Sequence, residues 1–291
     1  MRYEGSVYRP PGEWKSYILQ ATVGCSYNKC TFCEAYKTKS YHIKPLQYVL
    51  DDIAMAKVRH PDTETVFIAD GDAIALPMDY MLTVLEHLKA AFPKLRRITC
   101  YAGPISTMQK SPEELRQLHE AGLGRCYLGV ETGDSELLAK VKKGVDAKQM
   151  LEAGLALKNA GFDLWVTVIA GLEGGGDGYV RNATLTAELL NAMAPQHVSV
   201  MTYMATMGTE MFDDLMAGRF KMQTPREALL ETKLLIELLD LPGAHFTANH
   251  MSNYSPLKGT LGVDTAYFLA LIDEMLSNVD KVKQRTVYRH G

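Results

Sequence analysis

Three cysteines, Cys25, Cys30 and Cys33, fall within nine residues and are spaced C-x4-C-x2-C, in a chain that has five cysteines altogether. Thiolates this close together suit a metal or redox chemistry. A structural zinc site needs four ligands, usually from two knuckles. No second C-x2-C exists here, and Cys100 and Cys126 stand alone; His42 is the nearest downstream histidine that could complete such a set. A Cys30–Cys33 redox pair is a second option, but it leaves Cys25 without a task. Three thiolates on an iron–sulfur cubane are a third, and they leave one iron open. An open metal position is what separates catalytic from structural metal sites.

The elements around the cysteines set where that chemistry would sit. An apolar strand at about 16–22 leads straight into the cysteine loop. Helical spacing of Leu46, Val49, Leu50 and Ile53 follows. Thr65 to Ala69 is a buried-type strand ending in Asp70-Gly71-Asp72, and Asp79 caps a helix to Ala91. Arg97 to Tyr101 is a third strand, containing Cys100 and Tyr101. Ser111-Pro112-Glu113-Glu114 has the cap, the proline and the acids of a helix start. Arg125 to Val130 ends in Glu131-Thr132-Gly133, a helical stretch broken near Gly144 runs to about Ala160, and Phe162 to Ile169 ends in Ala170-Gly171. Tyr179 to Met193 is helical and His197 to Tyr203 is a sixth strand.

Six strand-then-helix units predict a parallel α/β sheet with right-handed crossovers, a partial (β/α)6 TIM-type barrel over residues 1–204. Chemistry in such a barrel gathers at the carboxyl ends of the strands, where all the unusual residues above fall. Beyond residue 204 the rhythm changes to helices at 209–218 and 225–239, a short strand at 244–248, a polar loop at 249–259 and a last helix at 264–278. This C-terminal helical extension, 205–291, is expected to cover the barrel mouth.

Composition narrows the function class. Of the 291 residues, 47% are hydrophobic and 22% charged, within the ordinary range for a globular protein. A net charge of −3 offers no basic face and argues against a nucleic-acid substrate, so a small or medium molecule is the expected partner. The first residues carry no apolar signal core, and no run approaches the roughly 20 apolar residues of a membrane span. A cytoplasmic address follows as an expectation. In that compartment clustered cysteines bind metal or do redox chemistry more often than they form structural disulfides.

The loop and the strand ends together resemble the radical S-adenosylmethionine (SAM) superfamily, over about residues 16–204. Phe32 fills the aromatic position before the last cysteine, although the first gap is four residues rather than the commoner three. Asp70-Gly71-Asp72 stands where the family usually has Gly-Gly-Glu. Gly129-Val130-Glu131-Thr132-Gly133 is similar to its Gly-x-Glu-Ser-Gly, and Val168 to Glu173 to the latter half of its adenine-side pattern. The branch it resembles holds the coproporphyrinogen dehydrogenase-like and elongator-like members.

That resemblance implies a [4Fe–4S] cluster on Cys25, Cys30 and Cys33, with SAM chelating the open iron. Reductive cleavage would give methionine and a 5′-deoxyadenosyl radical that takes hydrogen from a substrate. It implies that Phe32 packs by the adenine, that Asp72 takes the SAM amino group, and that Glu131 takes ribose or amino contacts. Asp70 shares the turn, while Gly71, Gly133 and Gly171 allow close backbone approach. An electron donor such as flavodoxin or ferredoxin is implied as partner. Cys100, Tyr101, Tyr203 and His250 are the candidates for hydrogen or proton transfer; His250 with Asn249 and Asn253 is also the candidate to bind substrate across the barrel mouth, and Tyr254 and Lys258 are further candidates beyond the cofactor site. Two leftover cysteines cannot build an all-cysteine auxiliary cluster, and the stretch before residue 16 leaves no room for a cobalamin domain. The alternatives are the same radical chemistry on tRNA or another nucleic acid, and a non-enzymatic zinc- or cluster-binding module.

Overall fold

Alternating strands and helices give one eight-stranded sheet whose strands follow the chain order. In the computed structural model, which describes residues 2–281 with 287 and 288, these are β1 (Tyr17–Gln20), β2 (Thr65–Ala69), β3 (Arg97–Ala102), β4 (Leu123–Glu131), β5 (Asp163–Ala170), β6 (His197–Thr202), β7 (His245–Ala248) and β8 (Leu257–Thr260). The helices are α1 (Leu46–Arg59), α2 (Met78–Ala91), α3 (Pro104–Met108), α4 (Pro112–Glu120), α5 (Ser135–Lys140), α6 (Ala147–Asn159), α7 (Gly178–Met193), α8 (Glu210–Met216), α9 (Pro225–Leu238) and α10 (Thr265–Ser277). The resulting fold is a partial parallel α/β barrel that does not close.

Contacts divide the chain into two compact units. The first holds the chain up to Asn28, Ala35–Leu128 and Glu152–Leu164; the second holds Lys29–Glu34, Gly129–Leu151 and the chain from Trp165. In the first, β1 pairs with β2, β2 with β3 and β3 with β4, all parallel. Val66 and Ile68 are fully buried, as are Val49 and Ile53 on α1 and Val84, Leu85 and Leu88 on α2, the i, i+3/i+4 stripe of amphipathic helices. Glu13 is buried here too, accepting from the Tyr127 hydroxyl at 2.6 Å and lying 3.7 Å from Arg125.

In the second unit β5 and β6 are parallel, β6 and β7 are parallel, and β8 returns antiparallel to β7. Burial alternates strictly along β5, and Phe246 of β7 packs on Phe268 of α10 with ring centroids 5.6 Å apart. One strand face is therefore sealed by helices and the other is half-buried.

Two local expectations change. β7 stands where the short strand at 244–248 is expected, but the segment expected as loop up to Gly259 contains β8, which also extends the sheet. Four residues including a glycine give no alternation to recognise; the pairing to β7 makes them a strand. Asp79 lies in the first turn of α2, whose cap position is Pro77. The break expected near Gly144 is present and separates α5 from α6, with Lys142 and Gly144 at φ +55° and +84°.

Candidate cluster and cofactor site

All three loop cysteines are of intermediate exposure, and none of them is in a disulfide. Cys25 lies in the first unit, held by the turn that ends β2. Gly71 N donates to Gly24 O at 3.0 Å, and a Cβ on Gly71 would stand 2.6 Å from Cys25 Cβ and 2.9 Å from the Tyr36 ring. Only glycine fits that approach. His42, the alternative zinc ligand, is turned to Ser40 O and the Glu4 carboxylate. Among the described residues no three His, Cys, Asp or Glu side chains converge on a point for a single metal ion.

The two acids of the β2 turn are both buried and differently used. Asp70 sits at φ +70°, and its carboxylate accepts from Gly24 N at 2.8 Å and Gln20 Nε2 at 3.0 Å while pairing with Lys39 at 2.9 Å. Its bonds all fix the entry to the cysteine loop. Asp72 accepts from the hydroxyl of Ser26, next to Cys25, from Ser106 Oγ at 2.7 Å and from Gly103 N at 2.9 Å. Among the described residues no cation pairs with it at ion-pair distance. Burial raises its carboxyl above the ordinary range, against the hydrogen bonds from Ser26, Ser106 and Gly103. Ser26 and Ser106 were not singled out in the sequence, where an isolated serine carries no signal.

Cys30 and Cys33 belong to the second unit. Thr31 N donates to Val141 O at 3.0 Å and Met211 N to Thr31 O at 3.1 Å, which stitches their loop to the end of α5 and the start of α8. Phe32 packs on an apolar cluster of Leu137, Val141, Leu172, Tyr203, Ala205, Met211 and Met222. Lys143 donates to Glu131 Oε1 at 2.6 Å, both side chains being about one-tenth exposed. Burial opposes the lysine's charge, but Glu131, Cys30 and Cys33 together hold its pKa above the ordinary value. Glu131 is at φ +65°, and its carboxylate folds back over Gly129, where a Cβ would be 2.4 Å from Oε1.

The glycines expected near a cofactor are packed on protein instead. A Cβ on Gly133 would stand 2.1 Å from Leu185 O on α7, and Gly133 N donates to Thr186 Oγ1 at 2.9 Å. Gly171 N, at φ +82°, donates to Glu231 Oε2 at 2.9 Å. Glu231, on α9, also accepts from Asn182 Nδ2 at 2.6 Å and Gln223 Nε2 at 2.7 Å, and Asn182 Oδ1 takes the Thr132 hydroxyl. One buried carboxylate thus ties together the loops that follow β4 and β5. Burial lifts it to about 7, against its hydrogen bonds to Gln223, Gly171 and Asn182 and with the help of Glu173. The sequence held one signal for it: an acid on the apolar stripe that Ala228, Thr232 and Leu235 share.

Of the four transfer candidates, Cys100 and Tyr101 belong to the first unit and Tyr203 and His250 to the second. Cys100 is fully buried on β3, directly opposite Cys126 on β4, whose thiol burial pushes up. Tyr101 packs edge-on against Phe67 and Tyr127, at 5.1 and 6.1 Å. Tyr203 belongs to the Phe32 cluster, 5.6 Å from Phe220, with burial raising its hydroxyl pKa. His250 Nδ1 accepts from Ser252 N, while Asn253 holds its loop to β6 through Val200 O and Thr202. Asn249 follows β7, and Tyr254 lies between Asn253 and β8, with Lys258 on β8.

An open parallel α/β barrel whose first strand feeds a three-cysteine loop defines a class of iron–sulfur radical protein. The chain belongs to the Radical SAM superfamily, whose family model matches residues 19–216. The cofactors of that family are a [4Fe–4S] cluster and SAM. The residues fit them: three thiols on one loop, two of them within the electrostatic reach of the Lys143 ammonium, suit an anionic cluster. The heme chaperone HemW of Bacillus subtilis (strain 168) is 22% identical over 222 residues, 76% of this chain and 57% of that protein. The 4′-phospho-dehydrooxetanocin synthase of Priestia megaterium is 26% identical over 217 residues, 68% of this chain and 28% of that protein. The chain therefore spans only part of the curated relatives it matches. Among solved structures, methylornithine synthase (PylB) has a TM-score of 0.52 at 16% identity, covering 91% of this chain and 85% of that one. Methanocaldococcus infernus Elp3 has 0.53 at 16% identity, covering 83% and 59%. These similarities show the shared fold. No helix among the described residues is long and apolar enough to cross a membrane.

Proposed function

We propose that this chain is a radical SAM enzyme in which Cys25, Cys30 and Cys33 hold a [4Fe–4S] cluster, acting on a small or medium organic substrate in the cytoplasm. The observation that carries the site assignment is Asp72: a buried carboxylate beside Cys25 with hydroxyl and amide donors but no cationic partner among the described residues. A buried carboxylate is stabilised by a cation brought to it, and the ammonium of SAM is one. When bound, the reduced cluster supplies the electron that splits SAM into methionine and a 5′-deoxyadenosyl radical.

The chain's own residues do the positioning. Asp70 fixes the backbone at Gly24, and Gly71 lets the β2 turn press against Cys25. Phe32 presents an aromatic face beside the adenine, and Glu131, its charge balanced by Lys143, faces the ribose. Gly133 and Gly171 act through the loops they anchor on α7 and α9. Hydrogen or proton transfer is assigned to Tyr101, Tyr203 or His250 ahead of Cys100, whose thiol is sealed in the sheet. A flavodoxin or ferredoxin is the proposed electron donor. The net charge of −3 favours a small substrate over tRNA.

Anaerobic reconstitution with iron and sulfide, followed by reduction, tests the assignment by electron paramagnetic resonance. A [4Fe–4S]⁺ signal that shifts on adding SAM is expected. Zinc uptake without acid-labile sulfide would select the non-enzymatic module instead.

A further inference from the structure

The half-buried face of the second unit's sheet carries a row of polar side chains that the cofactor site does not use. Side chains alternate across a strand. Val168 of β5 and Val200 of β6 line a small cavity with Asn182 and Leu235 on α7 and α9, and Phe246 of β7 faces α10. The residues between them therefore point away from the helices.

Register sets them abreast. Thr167 of β5 pairs with Ser199 of β6, Ser199 with Thr247 of β7, and Thr247 with Lys258 of β8. Neighbouring strands lie about 4.8 Å apart, so the row spans about 14 Å. The row below it is Trp165, His197 and His245. Trp165 stands edge-on to His197 with centroids 3.9 Å apart, and His197 Nε2 lies 2.9 Å from Thr247 Oγ1. With its proton on Nε2, His197 donates to Thr247 and leaves that hydroxyl's own hydrogen for a ligand.

We infer that this face binds the anionic group of the substrate, a carboxylate or a phosphate ester, through Lys258 and the hydroxyls of Thr247, Ser199 and Thr167. Lys258 is exposed and forms no ion pair among the described residues. The row has three hydroxyl donors and an ammonium but no carboxylate, so its charge complement is an anion. An edge strand often carries lysine to block pairing with another chain. That role needs no hydroxyls in register beside it and no imidazole orienting one of them. The inference rests on the radical SAM assignment for what is done to the ligand, not for its binding.

The chain contains two tryptophans, Trp14, which is 65% exposed, and Trp165, in the row beneath the hydroxyls. In a Trp14→Phe background, fluorescence therefore reports on Trp165 alone. The full chain, reconstituted and with or without SAM, is titrated with sodium phosphate and separately with succinate at constant ionic strength. A saturable change is expected with at least one of them. Its half-saturation should rise at least tenfold in Lys258→Met and in Ser199→Ala, and stay unchanged in Lys57→Met, an exposed lysine of α1. Saturation by phosphate alone assigns a phosphate ester, by succinate alone a carboxylate, and by both a general anion site. A non-saturating change with both anions, or one equal in Lys258→Met, overturns the proposal. The titration needs no SAM cleavage, so its failure is distinct from failure of the radical assignment.

Discussion

Lys143 Nζ lies 2.6 Å from Glu131 Oε1, and its electrostatic partners also include Cys30 and Cys33. One ammonium thus balances a buried carboxylate and the thiolates that are to carry the cluster. Removing it leaves Glu131 buried without its charge partner. Lys143→Met should destabilise the cluster-free chain by about 3 kcal/mol, the cost of breaking a buried pair from one side. Lys143→Met with Glu131→Met should recover at least half of that in urea denaturation. Equal losses in the single and double variants would show that the pair is not coupled.

Gly71 touches Cys25 so closely that a methyl group has no place between them. Gly71→Ala should displace Cys25 while leaving the sheet in place. The expected outcome is a severalfold fall in iron and sulfide bound after reconstitution, with the circular dichroism of the wild-type chain. Full iron content in the variant would mean that the β2 turn does not set the cysteine's position.

Gly133 meets the backbone of α7 rather than a ligand. Overpacking at a site walled by backbone costs about 1–3 kcal/mol, so Gly133→Ala should lower the apparent Tm by several degrees with or without SAM. An unchanged Tm with weakened SAM binding would assign the glycine to direct contact with the cofactor.

Glu231 gives a pH dependence whose sign can be worked out. Its folded-state value is raised from 4.5 to about 7. Between those values the folded chain holds a proton that the unfolded chain has lost. Stability is therefore fully present below about 4.5 and falls as pH rises toward and through 7, by roughly 3 kcal/mol if the whole shift is expressed. Glu231→Gln should flatten this part of the profile between pH 5 and 8. A variant with the same slope as wild type would assign the pH dependence to other groups.

The sequence made the barrel legible where the patterns were long. Strands such as Thr65–Ala69 are unbroken apolar runs, and the capping box at Ser111 and Glu114 starts α4 as the residue types predict. The short β8 was hidden because four residues with a central glycine show no periodicity; its identity comes from pairing with β7. At the site, spacing located the cysteines and the acids of the strand-end turns but not their tasks. Asp70 and Asp72 are two residues apart and look equivalent in sequence. The positive φ of Asp70 and the nearby Lys39 make it a loop anchor, whereas Asp72 keeps a carboxylate without a cation among the described residues. Glu231 is 60 residues from the glycine it holds, a relationship set by packing of α9 and not by any local motif.

The most direct test of the central claim is product analysis. The anaerobically reconstituted chain is reduced with dithionite in the presence of SAM. 5′-Deoxyadenosine and methionine should form together, and Cys30→Ala should reduce both to background. Formation of neither product by a chain that carries a full [4Fe–4S] complement, or equal amounts from Cys30→Ala, would contradict the assignment.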